Sequence, residues 1–583
     1  MNNKYKWATE EIYASPEQWQ NEYNELSKQI SLGKYKGKLG EKQSFLACMK
    51  EQELLSRKLE KLSVYAMMKH DENTKDAFFD SLSSKITALG ARFAHESAFV
   101  GPELTALDES VLKAYIEDEE LCEYDYFLKG VLKEKEHVLS EAEEKLLALS
   151  SEAMGSFRDV FTKIDNADLP LGEIKHGKER IPLSHGTYGV IMHGEDRALR
   201  KKAFNQYYGA YLSLINSISA TYYGNVKKGV FYTKARKFNS TLERALFGED
   251  VDKVVYDNLI KTTHKALPLL HKYMAEKKRL LGYKKMYMYD VYVPIIEGAE
   301  LKLEYEEAYD LVVEGLSVLG EEYKELLLKA KNERWIDVFE GDGKRSGAYS
   351  VCVYDTHPYV LLNYQKTTHD VFTIAHEMGH SIHSYFSNRT QPYAKADYRI
   401  FVAEVASTVN EVLLIRHLLS TEKDKKLKKY LLSYLLEMIR TTLFRQTQFA
   451  EFEQIAHEMV EKGEPLTKEN LSEEYLKLNK AYYGRSVVSE GNIKYEWARI
   501  PHFYRAFYVY KYATGIISAL AIADRILTEG KPAVEDYFKF LSAGGAGSPV
   551  ELLKIAGVDL TSKKPFEQAF KVFKDTLEQF KSL

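Results

Sequence analysis

The chain has 583 residues, and its 81 lysines and arginines against 85 aspartates and glutamates give a formal net charge of −4. A chain of this length builds more than one core, and a balanced charge excludes the strong positive field that holds a nucleic-acid backbone. The three cysteines, Cys48, Cys122 and Cys352, lie far apart in sequence, which is typical of a reducing compartment and excludes a sulfur metal site.

The N-terminal segment MNNKYKWATEEIYASPEQW has scattered charges and lacks the apolar region of a secretory signal. The longest purely apolar runs, such as GIISALAIA from Gly515, are far shorter than the roughly 20 residues that span a bilayer. The sequence therefore predicts a cytoplasmic protein with neither a membrane nor a nucleic acid as partner.

From residue 16 to about 165, apolar residues recur at helical spacing among dense charges, which predicts stacked helices. The turn-rich segment 165–200 predicts a loop or small hairpin before helices resume at Ala198. We therefore predict an N-terminal helical lobe, residues 1–200, and a second lobe, residues 201–583. No Pro/Ser-rich linker lies between them, so we expect packed rather than tethered lobes.

Two segments of the second lobe are rich in β-branched and aromatic residues. GAYSVCVY (347–354) and YVLLNY (359–364) are separated by the turn DTHP and predict a β-hairpin. A helical segment follows directly.

This helical segment contains TIAHEMGHSIH, residues 373–383. His376 and His380 are four apart and project from one face of a helix, where they can bind one metal ion. Glu377 lies about 100° round the helix, beside the metal, where it can take a proton from a metal-bound water. Gly379 allows a neighbouring backbone to approach closely. Two histidines bonded to local acids are the alternative interpretation.

A second copy of the string IAHEM occurs in QIAHEMVEK, residues 454–462. Glu461 stands where a second histidine would be needed after His457 and Glu458, so only one ring is available. The pattern indicates an ordinary solvated face of a charged helix.

Catalytic zinc normally has three protein ligands, and the HExxHxxGxxH solution is absent, because His383 and Phe386 occupy the glycine and histidine positions. Downstream, Glu404 has apolar neighbours, so its charge would be costly to bury without a cation, and we predict it as the third ligand. Glu411 lies seven residues on, near the same helical face, and is predicted to accept a histidine N–H. Plain salt bridges are the alternative for both. Asp397 is assigned a surface role.

The segment WARIPHFYRAFYVYKYATG, residues 497–515, places Tyr504, Tyr508 and Tyr512 on one predicted helical stripe with His502 at its start. Phenol and imidazole donors can stabilise an oxyanion. Core or groove lining is the alternative, since the chain has 42 tyrosines.

Taken together, HEMGH, FVAEVASTVNE and WARIPHFYRAFYVYKYATG resemble oligoendopeptidase F of the thimet oligopeptidase family, and RWIDVFEGDGKRSGAYS and FLSAGGAGSPVELLKIAGVDL extend the likeness to residues 335–560. The resemblance implies a mainly α, two-lobed, zincin-type metallopeptidase with a deep substrate channel and a small β-sheet near the active site. It also implies one Zn²⁺ per chain in the second, catalytic lobe. The implied ligands are His376, His380 and Glu404, and Glu377 is the implied base.

Further residues follow from the same likeness. His502, Tyr508 and Tyr512 fall in the family's segment of catalytic and oxyanion-contacting residues, and either Tyr504 or Tyr508 could take the principal role. The implied substrate contacts are Gly347, Ala348, Tyr349 and Tyr504, the first three on a strand edge that pairs with a peptide backbone. The loop AGGAGS, 543–548, resembles a flexible channel-side loop, or is a plain turn.

The predicted function is a zinc endopeptidase that hydrolyses internal bonds of short, unstructured peptides through a metal-bound water activated by Glu377. One alternative is a helical zinc metallocarboxypeptidase, which needs a cation such as Arg499 or Lys511 for the terminal carboxylate. The other is a non-catalytic peptide-binding protein.

Overall fold

The computed structural model of the protein describes residues 3–583, and the predicted mainly helical fold is confirmed. Residues 1 and 2, which begin the segment where no secretory signal is predicted, lie outside the described residues. Within residues 3–583, none of the helices has the length and apolar character needed to cross a membrane.

The α-helices are numbered in chain order. They are α1 Pro16–Gln29, α2 Lys42–Glu72, α3 Ala77–Ser97, α4 Val100–Ala106, α5 Glu109–Glu117, α6 Asp125–Glu134, α7 Glu141–Lys163, α8 His185–His193, α9 Arg197–Ser213, α10 Ile215–Ala235, α11 Thr241–Glu249, α12 Lys253–Leu280, α13 Tyr305–Gly315, α14 Glu321–Asn332, α15 Thr368–Thr390, α16 Tyr393–Ala396, α17 Ile400–Thr421, α18 Lys425–Ile439, α19 Arg445–Glu461, α20 Lys468–Tyr483, α21 Tyr510–Glu529, α22 Lys531–Ser542, α23 Pro549–Ile555 and α24 Lys564–Ser582.

The strands are short and form three small sheets. They are β1 Glu173–His176, β2 Glu179–Pro182, β3 Met286–Tyr287, β4 Ile336–Asp337, β5 Tyr349–Val351, β6 Tyr359–Leu361 and β7 Val487–Val488. β1 pairs with β2 antiparallel, β3 with β7 parallel, and the third sheet has the order β4-β6-β5.

The predicted β elements are present. The turn-rich 165–200 segment contains the hairpin β1–β2, and the next long helix, α9, begins one residue before the predicted Ala198. The short helix α8 between them was not predicted. The 347–364 hairpin is β5–β6, with Ser350 opposite Val360.

The chain forms two compact units that interleave along the sequence. Unit 1 comprises residues 1–138, 300–418 and 522–558, and unit 2 comprises 139–299, 419–521 and 559–583. Each unit combines three separate stretches of the chain. The predicted division into two contiguous lobes, residues 1–200 and 201–583, stays a prediction.

The core of unit 1 packs the first helices of the chain against the third sheet. Trp7, Trp19 and Leu62 belong to one buried cluster with Tyr359 and Leu361 of β6. β6 is the central strand because it pairs with β4 on one side and β5 on the other, which leaves β5 at an edge.

In unit 2 a buried carboxylate anchors the aromatic segment that follows β7. Glu496 is 2% exposed and accepts hydrogen bonds from Arg445 at 2.6 Å, Tyr475 at 2.6 Å and Arg499 at 2.9 Å. Burial opposes ionisation, but Arg445 and Arg499 lower the pKa of Glu496 to about 2. Glu496 therefore stays ionised, and its hydrogen bonds to Arg445, Tyr475 and Arg499 fix the position of the backbone next to Trp497.

Candidate metallopeptidase active site

Helix α15 carries the histidine pair and begins at a strong capping signal. The Thr367 side chain accepts from the Asp370 backbone N–H, and the Asp370 carboxylate accepts from the Thr367 N–H in return. Its apolar residues, including Phe372 and Met378, are buried. His376 and His380 lie one turn apart on one face of α15, and their ring centroids are 4.9 Å apart.

The backbone of α17 crosses α15 in close contact at Gly379. A Cβ added there would lie 2.5 Å from Ser407 Cα and 2.8 Å from Ala406 O, so no larger residue fits without movement. Asn410 fastens the crossing, because its Nδ2 donates to Ala375 O at 2.9 Å and its Oδ1 accepts from Tyr323 at 2.8 Å. Sequence reasoning missed Asn410, although a polar residue in so apolar a helix was the available signal.

This crossing brings the three predicted ligands together. Among residues 3–583, His376, His380 and Glu404 form the one group with ligand atoms all within 4.8 Å of one another that could hold a metal ion. Glu404 Oε2 lies 3.5 Å from His376 Nε2 and 3.8 Å from His380 Nε2. The side chain of Glu404 is 36% exposed. The reasoning that it is buried among apolar neighbours was therefore wrong, although Val402, Val405 and Ala406 are themselves buried.

Glu411 lies where a partner for the first histidine was predicted. Its Oε1 is 2.6 Å from His376 Nδ1, which leaves Nε2 directed towards Glu404. Burial lowers the pKa of His376, but the hydrogen bond to Glu411 and the surrounding carboxylates outweigh burial and raise it to about 9. A ligand ring must be neutral, so metal binding at Nε2 would release a proton.

Burial is the largest cause of the pKa shifts of Glu377 and His380 on the same helix. Glu377 is 7% exposed, and burial, reinforced by the charges of Glu404 and Glu411, raises its pKa to about 7. Burial and the charge of His376 lower the pKa of His380 to about 3. His383 is buried and stacked on Tyr398 at 3.8 Å, which is a packing role.

The β5 edge is tied to the same helix. Ser350 and Ser381 of α15 are joined by a hydrogen bond of 2.8 Å, and within residues 3–583 β5 pairs on one side only, with β6. Gly347 and Ala348 are exposed and precede the strand. The Tyr349 hydroxyl donates to the buried Asp71 at 2.9 Å, so the predicted substrate-contacting residues lie on a fixed edge.

The glycine-rich loop 543–548 is packed rather than open. Gly545 N–H donates to Lys395 O at 2.7 Å, and a Cβ on Gly544, where φ is +52°, would lie 2.4 Å from the same oxygen. These contacts favour the interpretation as a turn.

The aromatic segment of unit 2 is not the continuous helix that was predicted. A 3₁₀ turn, Pro501–Tyr504, is followed by irregular residues, and α21 begins at Tyr510. The break centres on Phe507, whose φ of +54° is left-handed and ends helical geometry. Glu453 supports this conformation, because its Oε1 accepts the Phe507 N–H at 2.8 Å.

Three of the predicted residues nevertheless form a cluster across this break. The half-buried rings of His502, Tyr508 and Tyr512 have centroids 5.4–6.0 Å apart. Tyr504 is separate, 6% exposed and stacked on Phe161 at 4.3 Å, with its hydroxyl 2.9 Å from Thr221 Oγ1.

The second IAHEM string is also in unit 2, and the prediction of a solvated face was wrong for its histidine. His457 is 1% exposed, neither ring nitrogen has a hydrogen-bond partner within the described residues, and its ring packs on Phe507 at 4.8 Å. Burial lowers its pKa to about 3. Glu461, at the position where a second histidine would be needed, accepts a hydrogen bond from the Thr241 N–H at 2.6 Å. The segment therefore has a structural role, in which His457 packs against Phe507.

The two cations suggested for a terminal carboxylate already have partners in unit 2. Arg499 donates to Glu496 and to the Tyr208 hydroxyl, and Lys511 pairs with Glu249.

The donor set fits a zinc ion. Bonds of about 2.0–2.1 Å in a tetrahedral site place ligand atoms about 3.3 Å apart, close to the 3.5 and 3.8 Å observed here. Two histidines and a glutamate are a catalytic set that leaves a fourth position open. A mainly helical chain with this set and a glutamate next to the first histidine defines a metallopeptidase.

Comparisons with known proteins agree with this class. The family model described as Peptidase family M3 matches residues 190–572, and that described as Oligopeptidase F matches residues 103–170. Oligopeptidase PepF of Bacillus subtilis (strain 168) is 43% identical over 582 residues, covering 99% of this chain and 87% of that protein.

Solved structures extend the likeness to the fold. A crystal structure of a protein from Chlamydophila abortus has a TM-score of 0.94 at 36% identity and covers 100% of this chain and 98% of its own. That of oligoendopeptidase-F from Enterococcus faecium has a TM-score of 0.75 at 34% identity, covering 97% and 98%. The chain belongs to peptidase family M3, so the predicted family and the prediction of a metallopeptidase are confirmed.

Replacing Gly379 by alanine should force α15 and α17 apart. We expect a loss of about 1–3 kcal/mol in stability and weaker zinc binding, measured by thermal unfolding and by competition with a chromogenic chelator. Gly130→Ala is the matched control, because Gly130 is also helical and a Cβ there meets nothing within 4 Å. Equal effects of the two substitutions would contradict the close-contact explanation.

Glu453→Gln should change the pH dependence of stability. Glu453 is 1% exposed, and burial raises its pKa well above the usual range. As pH rises above about 4.5, the unfolded chain loses this proton while the folded chain keeps it, so wild-type stability falls by up to about 1.4 kcal/mol per pH unit. Glutamine cannot ionise, so the variant should gain relative to wild type from pH 5 upwards.

Thermal midpoints of both proteins between pH 5 and pH 8 test this expectation. Glu458→Gln, on the same helix but with a side chain 44% exposed, is the control. Parallel midpoint curves for wild type and Glu453→Gln would show that Glu453 is not the buried acid described.

Proposed function

We propose that the protein is a zinc-dependent endopeptidase that cuts internal bonds of short, unstructured peptides, with one Zn²⁺ per chain. The observation that carries the proposal is the convergence of His376, His380 and Glu404 within 4.8 Å, with Glu377 next to the first histidine on the same helix. Short peptides as partners, the deep channel and a cytoplasmic location stay predictions from the sequence and the family likeness.

Each residue of the site has a separate proposed role in metal binding or proton transfer. His376, His380 and Glu404 would hold the ion, and Glu411 orients His376 through Nδ1. When bound, Zn²⁺ would supply a Lewis acid that polarises the scissile carbonyl and lowers the pKa of water towards 7. Glu377 accepts the proton of the attacking water and donates it to the nitrogen of the leaving amine.

Donors for the developing oxyanion are proposed in the aromatic segment. His502, Tyr508 and Tyr512 have the required N–H and O–H groups, and their rings form one half-buried cluster. Between the two candidates for the principal role, the geometry favours Tyr508, because the Tyr504 hydroxyl is engaged with Thr221 and its ring is buried. Loss of a good oxyanion donor typically costs about 3 kcal/mol.

Substrate alignment is proposed on the β5 edge. Main-chain N–H and C=O groups of residues 347–349 would pair with an extended peptide, which gives affinity without requiring particular side chains. The link from Ser350 to Ser381 joins this edge to the helix that carries the histidines. Tyr504 is retained as a proposed substrate contact in unit 2.

The carboxypeptidase alternative is less well supported than the endopeptidase. It needs a cation with free hydrogen-bonding capacity for the terminal carboxylate, and both Arg499 and Lys511 are paired with glutamates. A non-catalytic peptide-binding protein would have no need for an acid beside the histidine pair, yet Glu377 is present and buried.

Glu377→Gln should retain zinc and lose turnover by roughly 10²–10⁴-fold, because glutamine keeps the shape but cannot take a proton. Elemental analysis gives the zinc content, and a fluorogenic peptide assay gives the rate. Glu458→Gln makes the same change in the second IAHEM string and should leave the rate unchanged. An unaltered rate in Glu377→Gln would remove Glu377 from the mechanism.

An internally quenched peptide with an acetylated N-terminus and an amidated C-terminus distinguishes the two peptidase classes. An endopeptidase needs neither terminus, so mass spectrometry should locate cleavage at an internal bond, and a chelator should abolish it. Cleavage only of the unblocked peptide, one or two residues from its C-terminus, would favour the carboxypeptidase.

A further inference from the structure

A cavity lies wholly within unit 2, among residues that the proposed zinc chemistry does not use. Its volume is about 310 Å³, and it is lined by α7, α10 and α11 and by Tyr504 and Ala506 of the aromatic segment. This volume is at the lower end of the range for small-molecule sites. It suits one or two amino-acid residues rather than a cofactor.

Two cations line this cavity without an acidic partner. Lys228 of α10 and Arg244 of α11 are both partly buried, and neither forms an ion pair with any residue from 3 to 583. Burial, Arg158 and Arg244 lower the pKa of Lys228, and the opposing effect of Asp159 does not cancel this. Burial and Arg236 likewise lower the pKa of Arg244. Like charges held together without a counter-ion are costly, which is typical of a site that binds an anion.

The cavity also has an unused acceptor. Asn225 is 3% exposed, its Nδ2 donates to Phe503 O at 3.3 Å, and its Oδ1 has no hydrogen-bond partner within the described residues. Buried amide oxygens normally accept a hydrogen bond. A phosphate can satisfy this acceptor only through a protonated oxygen, whereas the last residue of a peptide offers a carboxylate for the cations and a separate N–H for the amide oxygen.

We propose that this cavity is a carboxylate site that takes the carboxyl-terminal residue of a peptide, with Lys228 and Arg244 binding the carboxylate and Asn225 accepting the N–H. That the ligand is a peptide rests on the proposed function; that the cavity binds an oxyanion does not. Because Tyr504 and Ala506 line it, a bound peptide terminus would contact the segment that carries His502 and Tyr508.

Binding to the full-length protein by isothermal titration calorimetry tests the site independently of catalysis. The probes are N-acetylglycine, which has both groups, N-acetylglycinamide, which lacks the carboxylate, and inorganic phosphate. We expect N-acetylglycine to bind, the amide not to bind, and Lys228→Met or Arg244→Met to weaken binding roughly tenfold or more. Lys227→Met, one position away on α10 and exposed, is the matched control.

The outcomes separate the possible ligands. Binding of phosphate but not N-acetylglycine, lost in Lys228→Met, would overturn the carboxylate assignment in favour of a free inorganic anion. Binding unaffected by either substitution, or no binding, would overturn the site. The thermal midpoints of Lys228→Met and Arg244→Met should be unchanged or raised, because each removes one of two repelling charges. A marked fall in both would make these cations structural and overturn the assignment.

Peptide kinetics then test the link to substrate. A peptide with a free C-terminus should have a lower KM than its C-terminal amide, and Lys228→Met should abolish this difference while kcat is retained. An equal KM for both peptides in the wild-type protein would exclude the terminus of the substrate as the ligand. Should the protein prove not to cut peptides, the calorimetry still reports on the anion site.

Discussion

The separation between two helix backbones, at Gly379 of α15 and Ser407 of α17, is the constraint on which the candidate site depends. Glu404 precedes Ser407 by about one helical turn, and Glu411 follows it by about another. The position of the contact therefore fixes where both carboxylates lie relative to the two histidines of α15. A wider crossing would keep the histidine pair intact and move the third ligand away. The glycine is therefore as necessary to the metal site as the side chains that would bind the ion.

The features that follow from local periodicity were predictable from the sequence. His376 and His380 share a face because of helical geometry alone, and the β5–β6 hairpin follows from two runs of β-branched and aromatic residues. The contact of Glu404 with the histidines was inferred from chemistry; the structure places its carboxylate 3.5 Å from His376 Nε2, but with a side chain that is 36% exposed rather than buried. The break at Phe507 could not be predicted, since a left-handed phenylalanine depends on the distant acceptor Glu453.

The two IAHEM strings show how tertiary surroundings assign different roles to the same five residues. In α15 the histidine has an acid at each ring nitrogen; burial alone would lower its pKa, but Glu411 and the other carboxylates outweigh burial and raise it. In α19 the histidine packs on Phe507 with no polar partner among residues 3–583, and burial keeps it neutral. Helix α19, which carries the second string, also stabilises the aromatic segment, because its Glu453 accepts a hydrogen bond from the Phe507 N–H.

The interleaved units have a consequence for synthesis of the chain on the ribosome. Unit 1 needs residues 522–558 and unit 2 needs residues 559–583. Each unit therefore lacks its last segment until synthesis is nearly complete, although the buried cluster between Leu39 and Val131 needs no residue beyond 131. The cluster around Trp19, by contrast, stays incomplete until Tyr359 and Leu361 have been added to the chain. The order of the segments along the chain therefore leaves part of the apolar surface of unit 1 uncovered until the middle of the chain has been synthesised.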